Sequence, residues 1–178
     1  LTLDAIRQAA PSAFATEPYE SMSDRYSYIP TVEVILGMMD AGFQPFSAGQ
    51  SRTRTTGKQA FTKHMIRFRS EGFDGLTKVG DTFPEVVLVN SHDGSSSYKL
   101  MAGLFRLVCS NGMIIADSLI GSISVRHTGQ VVGEVATASE AIVEQMPKAL
   151  NAIQEWQQIT LSKPAQLAFA EAAHEIRF

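Results

Sequence analysis

The fold of this chain is decided by the stretch EVVLVNSHDGSSSYKLMAGLFRLVCSNGMII, residues 85–115. Two apolar runs rich in strand-forming residues flank a polar turn at 92–97, and a second turn at 110–112 ends the later run. The pairs Asp93-Gly94 and Asn111-Gly112 are typical of positions where the backbone needs a positive φ. This stretch therefore predicts a continuous antiparallel meander in the middle of the chain.

The longest apolar run covers residues 98–109, and both of its faces are mostly apolar. A strand with this pattern lies in the centre of a sheet and is covered on both sides. Gly103 within the run indicates a bulge or a close backbone approach. Shorter strands are predicted at residues 85–90, 113–116 and 123–127.

A further strand is predicted at residues 63–69, where alternate positions separate into two different faces. One face holds Lys63, Met65, Arg67 and Arg69, and the other holds His64, Ile66 and Phe68. Such a strand buries its apolar face, so we expect the basic face to be exposed to solvent.

Helical spacing appears on both sides of these strands. A first helix in residues 1–10 ends at Pro11, and a second begins near Pro30 and ends at Gly42. Longer helices are predicted at 133–158 and 165–178. The expected fold class is α+β: a mostly antiparallel sheet of about five strands, with helices packed on one face. We expect one domain over residues 1–178, made of an N-terminal helix and arm (1–27), a core (28–129) and C-terminal helices (130–178).

Three segments of the core resemble a known family. They are YIPTVEVILGMMDAGFQPFSAGQSRTR at 28–54, KHMIRFR at 63–69 and SHDGSSSYKLMAGLFRLVCSNGM at 91–113. In this order they resemble a bacterial family associated with phages and plasmids, domain of unknown function 932. The resemblance implies a setting on a mobile element, such as a prophage or plasmid. It implies no particular activity.

The composition narrows the class of protein. A length of 178 residues with 44% hydrophobic content suits a single domain with a proper core. The single cysteine excludes an internal disulfide framework and a multi-cysteine zinc site. No apolar run approaches the length of a membrane span, and no basic leader followed by an apolar run opens the sequence. We therefore expect a cytoplasmic protein that does not bind a membrane.

Charge is distributed unevenly along the chain, whose net charge is −3. Six of the 15 basic residues lie in residues 47–69 without an acidic one, so the rest carries nine basic against 18 acidic residues. Clustered cations favour phosphodiester backbones because binding releases condensed counterions. The alternative is a solvated face whose charges meet carboxylates elsewhere in the chain. The six residues are Arg52, Arg54, Lys58, Lys63, Arg67 and Arg69.

The charge pattern favours a nucleic-acid-binding protein, with single-stranded DNA as its partner. Basic residues on a strand beside a basic loop suit a backbone track better than a helix in the major groove does. Arg106 and Arg126 are secondary contacts, if their strand faces join the basic surface. Phage single-strand annealing proteins have a comparable layout of sheet and helices, and such proteins form rings, so a homo-oligomer is expected.

The alternative function is a metal- or His/Asp-dependent hydrolase. His64, His92, Asp93 and His127 are the only set that could form such a site, but no spacing forces them to converge. Core histidines and an Asp-capped turn explain the same residues. Cys109 is a candidate nucleophile or a buried thiol. Nucleotide-binding glycine motifs are absent, so nucleotide chemistry has no local support. The favoured interpretation includes no catalytic residue, no metal and no cofactor. A third possibility is a module that binds a host factor.

Overall fold

The computed structural model describes residues 1–70, 82–107, 114–128 and 158–177, with isolated positions between 137 and 156. The chain divides into two compact units, residues 1–146 and 147–178. The first unit contains one antiparallel sheet in the order β1-β2-β3-β4-β5. Its strands are β1 (Phe43–Gln50), β2 (His64–Ser70), β3 (Thr82–Asn90), β4 (Tyr98–Leu107) and β5 (Ile114–Val125). The predicted α+β class with a sheet of about five strands is confirmed.

The turn between β3 and β4 has the chemistry that its sequence predicts. Gly94 has φ of +74°, a region that side chains avoid. Oδ1 of Asp93 accepts hydrogen bonds from the backbone N–H of Ser95, at 2.9 Å, and from the Ser95 hydroxyl. The aspartate therefore closes the turn through its own side chain.

Two helices are described within residues 1–70 of the first unit, and one face of the sheet packs against them. They are α1 (Leu3–Ala9) and α2 (Thr31–Asp40), and 3₁₀ turns occur at Pro11–Phe14 and Gln59–Phe61. Alternate residues of the strands contribute to a core shared with the helices, because successive side chains of a strand point to opposite faces. The core joins Ile6, Ile35 and Met38 with Ile66, Phe68, Val86, Leu88 and Leu100. The predicted packing of helices on one face is confirmed for this unit.

The prediction of two separate strands at 113–116 and 123–127 is wrong, because both belong to the single strand β5. Four of the six residues between them are polar or glycine, namely Asp117, Ser118, Gly121 and Ser122, and these weaken the local strand pattern. Pairing with β4 nevertheless continues through Ser118 and Gly121, with register shifts near Gly103. Gly103 thus lies at an irregularity of the β4–β5 pairing, where a bulge or a close backbone approach was predicted.

The second unit contains α3 (Lys163–Arg177), which agrees with the helix predicted at 165–178. Most of the helix predicted at 133–158 lies outside the described residues, as does Cys109. Within the part of the chain that the structure describes, no helix combines the length and apolarity that crossing a membrane requires.

Candidate nucleic-acid interface

The strand register brings three connecting segments to one end of the sheet. Gln50 at the end of β1 pairs with His64 at the start of β2, which also pairs with Asn90 at the end of β3. Tyr98 at the start of β4 pairs with Val125 at the end of β5. The β1–β2 loop, the β3–β4 turn and the residues after β5 therefore share an end, called here the loop end (residues 51–63, 91–97 and 126–128).

Three cations of the β1–β2 loop are exposed at the loop end. They are Arg52, Arg54 and Lys63, and no described carboxylate lies within ion-pair distance of any of them. Arg126, which follows β5, is exposed at the same end. Four of the eight predicted contact residues are therefore exposed at the loop end. No local sequence signal predicted that Arg126 would lie beside the β1–β2 loop.

Lys58, a fourth cation of the loop, holds the loop against the β3–β4 turn. Its Nζ lies 3.2 Å from Oδ2 of Asp93, whose side chain is 4% exposed. Burial alone would raise the pKa of Asp93, but hydrogen bonds from Ser95 and the charge of Lys58 outweigh it and lower that pKa. The carboxylate is therefore ionised at neutral pH and neutralises Lys58.

Arg67 and Arg69 are buried, so the prediction of a solvent-exposed basic face on β2 is wrong for them. Each is 3% exposed, and Glu85 between them is fully buried. Arg67 donates from Nε and Nη2 to the two Glu85 oxygens at 2.7 and 2.8 Å, and Arg69 donates from Nε to Oε1 at 2.7 Å. Phe46 covers the pair, with its ring centroid 3.7 Å from Cζ of Arg69.

The neighbouring strand, β3, explains why Arg67 and Arg69 are buried. Glu85 lies on β3, on the face that Arg67 and Arg69 present from β2, because β3 pairs antiparallel with β2. Strand alternation gives the side of the sheet correctly, but it does not reveal which residues of other strands share that side. Arg106 lies in β4, and its side chain is outside the described part of the structure.

A pocket of about 260 Å³ lies between the loop and the turn. Ser51, Arg52, Thr53, Thr62 and Lys63 line it from the loop, and Asp93 and Ser95 line it from the turn. The hydroxyl residues of this pocket were not among the predicted contacts, since serine and threonine are ordinary in loops. Only the register of β1, β2 and β3 shows that these segments meet.

A second, larger pocket of about 340 Å³ borders the other part of the same loop. Its lining includes Glu17, Glu20 and two aromatic residues, Tyr19 and Phe61. The rings of Tyr19 and Phe61 are tilted against each other with centroids 5.4 Å apart. Phe61 thus lies at the loop end and packs on Tyr19.

The histidines converge at the loop end, although the sequence did not require it. The ring centroids of His64 and His92 are 5.2 Å apart. The hydroxyl of Thr31 lies between them, 2.9 Å from Nε2 of His64 and 3.3 Å from Nε2 of His92. On its other side, His64 Nδ1 lies 3.0 Å from the Ser12 hydroxyl. Thr31 and Ser12 are members of this network that sequence reasoning missed.

The convergent histidines are neutral and enclosed. His64 is 1% exposed and His92 is fully buried. Burial lowers the pKa of His64 to about 4 and that of His92 to about 3. His127 stacks on Tyr26 at 4.6 Å, and burial lowers its pKa too. Among the described residues, no group of three His, Cys, Asp or Glu side chains could hold a metal ion.

Comparison with known proteins gives a family and no activity. The model of the family described as Domain of unknown function (DUF932) matches residues 18–176. UPF0380 protein YafZ of Escherichia coli (strain K12) is 40% identical over 178 residues, and UPF0380 protein YfjQ of the same organism is 38% identical. These matches cover 100% of this chain but 63% of each relative. No solved structure matches significantly.

Proposed function

We propose that this chain, which belongs to the family described as Domain of unknown function (DUF932), binds single-stranded nucleic acid at the loop end of its sheet. One observation carries the proposal: Arg52, Arg54 and Lys63 are exposed on one loop without a described carboxylate partner. In a chain with 18 acidic and 15 basic residues, such a group of unpaired cations favours an anionic partner.

The loop end suits a single strand better than a duplex. The described loop-end segments contain a 3₁₀ turn at Gln59–Phe61 but no α-helix that could enter a major groove. A flexible strand can instead lay its phosphates along the loop cations and its bases against rings such as Phe61. We favour DNA over RNA because the family resemblance implies a prophage or plasmid setting. That setting is part of the proposal, and so is assembly into a homo-oligomer.

The proposed contacts are fewer than the sequence predicted. Arg52, Arg54, Lys63 and Arg126 remain, because all four are exposed at the loop end. Lys58 shapes the surface through Asp93 rather than meeting phosphate. Arg67 and Arg69 are left out of the contact set because the Glu85 carboxylate engages both of them within the protein.

A second candidate is a hydrolase that uses the His/Asp set. The 5.2 Å between the rings of His64 and His92 supports it, since an acid–base pair must converge. Burial of both rings weakens it, because a substrate has to reach the reacting atoms. Neither of the two pockets described above has His64 or His92 in its lining.

Binding of a fluorescently labelled single-stranded oligonucleotide tests the proposal. We expect saturable binding at low salt, and Lys63→Glu should weaken it at least tenfold, because one attractive phosphate contact becomes repulsive. Lys163→Glu is the matched control, because it makes the same change of charge at an exposed lysine of the second unit. Equal affinities of the two variants would contradict the proposal.

A further inference from the structure

We infer that the pocket of about 260 Å³ between the β1–β2 loop and the β3–β4 turn binds one phosphate group of the nucleic-acid backbone. This inference rests on the proposed function, and it names the ligand group and the place. The lining brings two cations, Arg52 and Lys63, together with the hydroxyl residues Ser51 and Thr53. Cations and hydroxyls arranged around a small cavity are donors that phosphate oxygens accept.

The side-chain donors of Arg52, Lys63, Ser51 and Thr53 have no described acceptor, whereas the Thr62 and Ser95 hydroxyls donate to the Gln59 carbonyl and to Asp93. Neither Arg52 nor Lys63 has a described ion-pair partner. The Thr53 hydroxyl accepts a hydrogen bond from the backbone N–H of Thr55 at 3.2 Å, so its own proton is available. Ser51 uses its backbone N–H, which donates to the Lys63 carbonyl at 2.7 Å and holds the two sides of the pocket together.

Asp93, the one carboxylate in the lining, is already occupied. Its Oδ2 pairs with Lys58, and its Oδ1 accepts two hydrogen bonds from Ser95. The negative charge of Asp93 is therefore neutralised by Lys58. The aspartate forms the wall of the pocket, and the net charge left for a ligand is that of Arg52 and Lys63.

The size of the pocket limits the ligand. Pockets for drug-sized ligands measure roughly 300–1,000 Å³. At about 260 Å³ and open to solvent, this pocket suits a phosphate with part of its sugar rather than a whole nucleotide. A backbone phosphate meets this condition because the rest of the strand continues across the exposed loop.

Two arginines of the same loop provide a matched test. Arg52 lines the pocket, whereas Arg54, two positions further along, does not. Both are exposed, so general electrostatic attraction alone predicts equal effects for Arg52→Ala and Arg54→Ala. A phosphate seated in the pocket makes charge-assisted hydrogen bonds to Arg52, so we expect Arg52→Ala to weaken strand binding about tenfold more than Arg54→Ala does.

A second variant removes hydroxyls without changing charge. Ser51→Ala combined with Thr53→Val should weaken binding severalfold and leave its salt dependence unchanged, because no cation is removed. Circular dichroism and melting temperature establish that each variant is folded. Titration with inorganic phosphate at constant ionic strength, followed by ³¹P line broadening for the parent and for Arg52→Ala, separates a backbone phosphate from a free one.

The outcomes distinguish the inference from the proposed function. Suppose that the parent binds the strand, that the two arginine variants lose affinity equally and that the hydroxyl variant loses none. This result would overturn the inferred phosphate site and leave the proposed function standing. Absence of strand binding by the parent at low salt overturns both. Phosphate binding that depends on Arg52 in that case would assign the pocket to a small phosphate compound and would contradict the inferred backbone ligand.

Discussion

Arg67 on β2 and Glu85 on β3 are joined diagonally by two parallel hydrogen bonds, Nε to Oε2 at 2.7 Å and Nη2 to Oε1 at 2.8 Å, with both side chains buried. Two such bonds orient the guanidinium and the carboxylate in one plane. This pair places part of the positive charge of residues 63–69 inside the protein, so charge counted along the sequence overstates the charge available to a partner.

The first prediction concerns the stability of this pair. Glu85→Gln removes the carboxylate that Arg67 and Arg69 share, and it leaves buried guanidinium groups without that counter-charge. We expect the free energy of unfolding to fall by about 3–5 kcal/mol, as for other broken buried pairs. Urea denaturation measures the loss. Glu171→Gln, at an exposed position of α3, is the control and should change stability by less than about 0.5 kcal/mol.

A small loss for Glu85→Gln would contradict the buried arrangement, since it would mean that water already solvates Arg67 and Arg69. The salt dependence of the free energy of unfolding is a second test of whether the pair is buried. A buried pair is screened little, so its contribution should persist at high salt.

Local sequence patterns were sufficient for α1, α2, β2, β3 and β4 and for the two faces of β2, but they did not predict β1 or the continuity of β5. Alternation places Ile66 and Phe68 in the core, and Asp93-Gly94 marks the turn, because both features depend on neighbours in sequence. The family resemblance over residues 28–129 is also confirmed by the family match to residues 18–176.

The environment of each charge could not be predicted in the same way. Glu85 lies 18 positions after Arg67, outside the basic segment 47–69, and only the pairing of β2 with β3 brings the two residues together. The convergence of His64 with His92 through Thr31 likewise depends on α2 packing on the sheet. Contacts of this kind are properties of tertiary structure, and periodicity carries no information about them.

The stability of the protein should depend on pH through its buried histidines. Burial lowers the pKa of His64 from 6.5 to about 4, so between these values the unfolded chain binds a proton that the folded chain does not. Stability should therefore fall as pH falls from 6.5 towards 4, by up to about 1.4 kcal/mol per pH unit from this group. His92, with a pKa of about 3, acts in the same direction.

His64→Gln removes one titrating group from this window, so its stability should depend less steeply on pH than that of the parent. Ser12→Ala is the control, because it removes the hydrogen bond to His64 Nδ1 and keeps the imidazole. It should lower stability without flattening the pH profile. Urea denaturation at several pH values measures both, and parallel profiles for His64→Gln and the parent would refute a neutral buried His64.

The third prediction compares glycines. Gly94 has φ of +74° and Gly57 has φ of +78°, so alanine is strained at both positions. A Cβ at Gly94 would also lie 3.1 Å from Sδ of Met22, whereas at Gly57 it would meet open space. We expect Gly94→Ala to cost about 1–3 kcal/mol and Gly57→Ala to cost less, because only the first adds crowding to strain.

Gly37 provides the opposite case. It lies within α2, and a Cβ there would meet nothing within 4 Å. Gly37→Ala should therefore stabilise the protein by about 0.5–1 kcal/mol, since alanine favours the helix. Thermal unfolding of the three variants should rank Gly37→Ala above the parent and Gly94→Ala last. Any other order would contradict the conformations assigned to these residues.

The salt dependence of single-stranded DNA binding tests the central claim most directly. Each phosphate neutralised on a single strand contributes about −0.7 to the slope of log association constant against log salt concentration. Arg52→Ala/Arg54→Ala/Lys63→Ala should therefore make the slope shallower by about 2 and lower the affinity at low salt, while Lys163→Ala leaves both unchanged. Fluorescence anisotropy over a salt series measures the two quantities. The same slope and affinity for the triple variant and the parent would show that the loop end does not bind the strand.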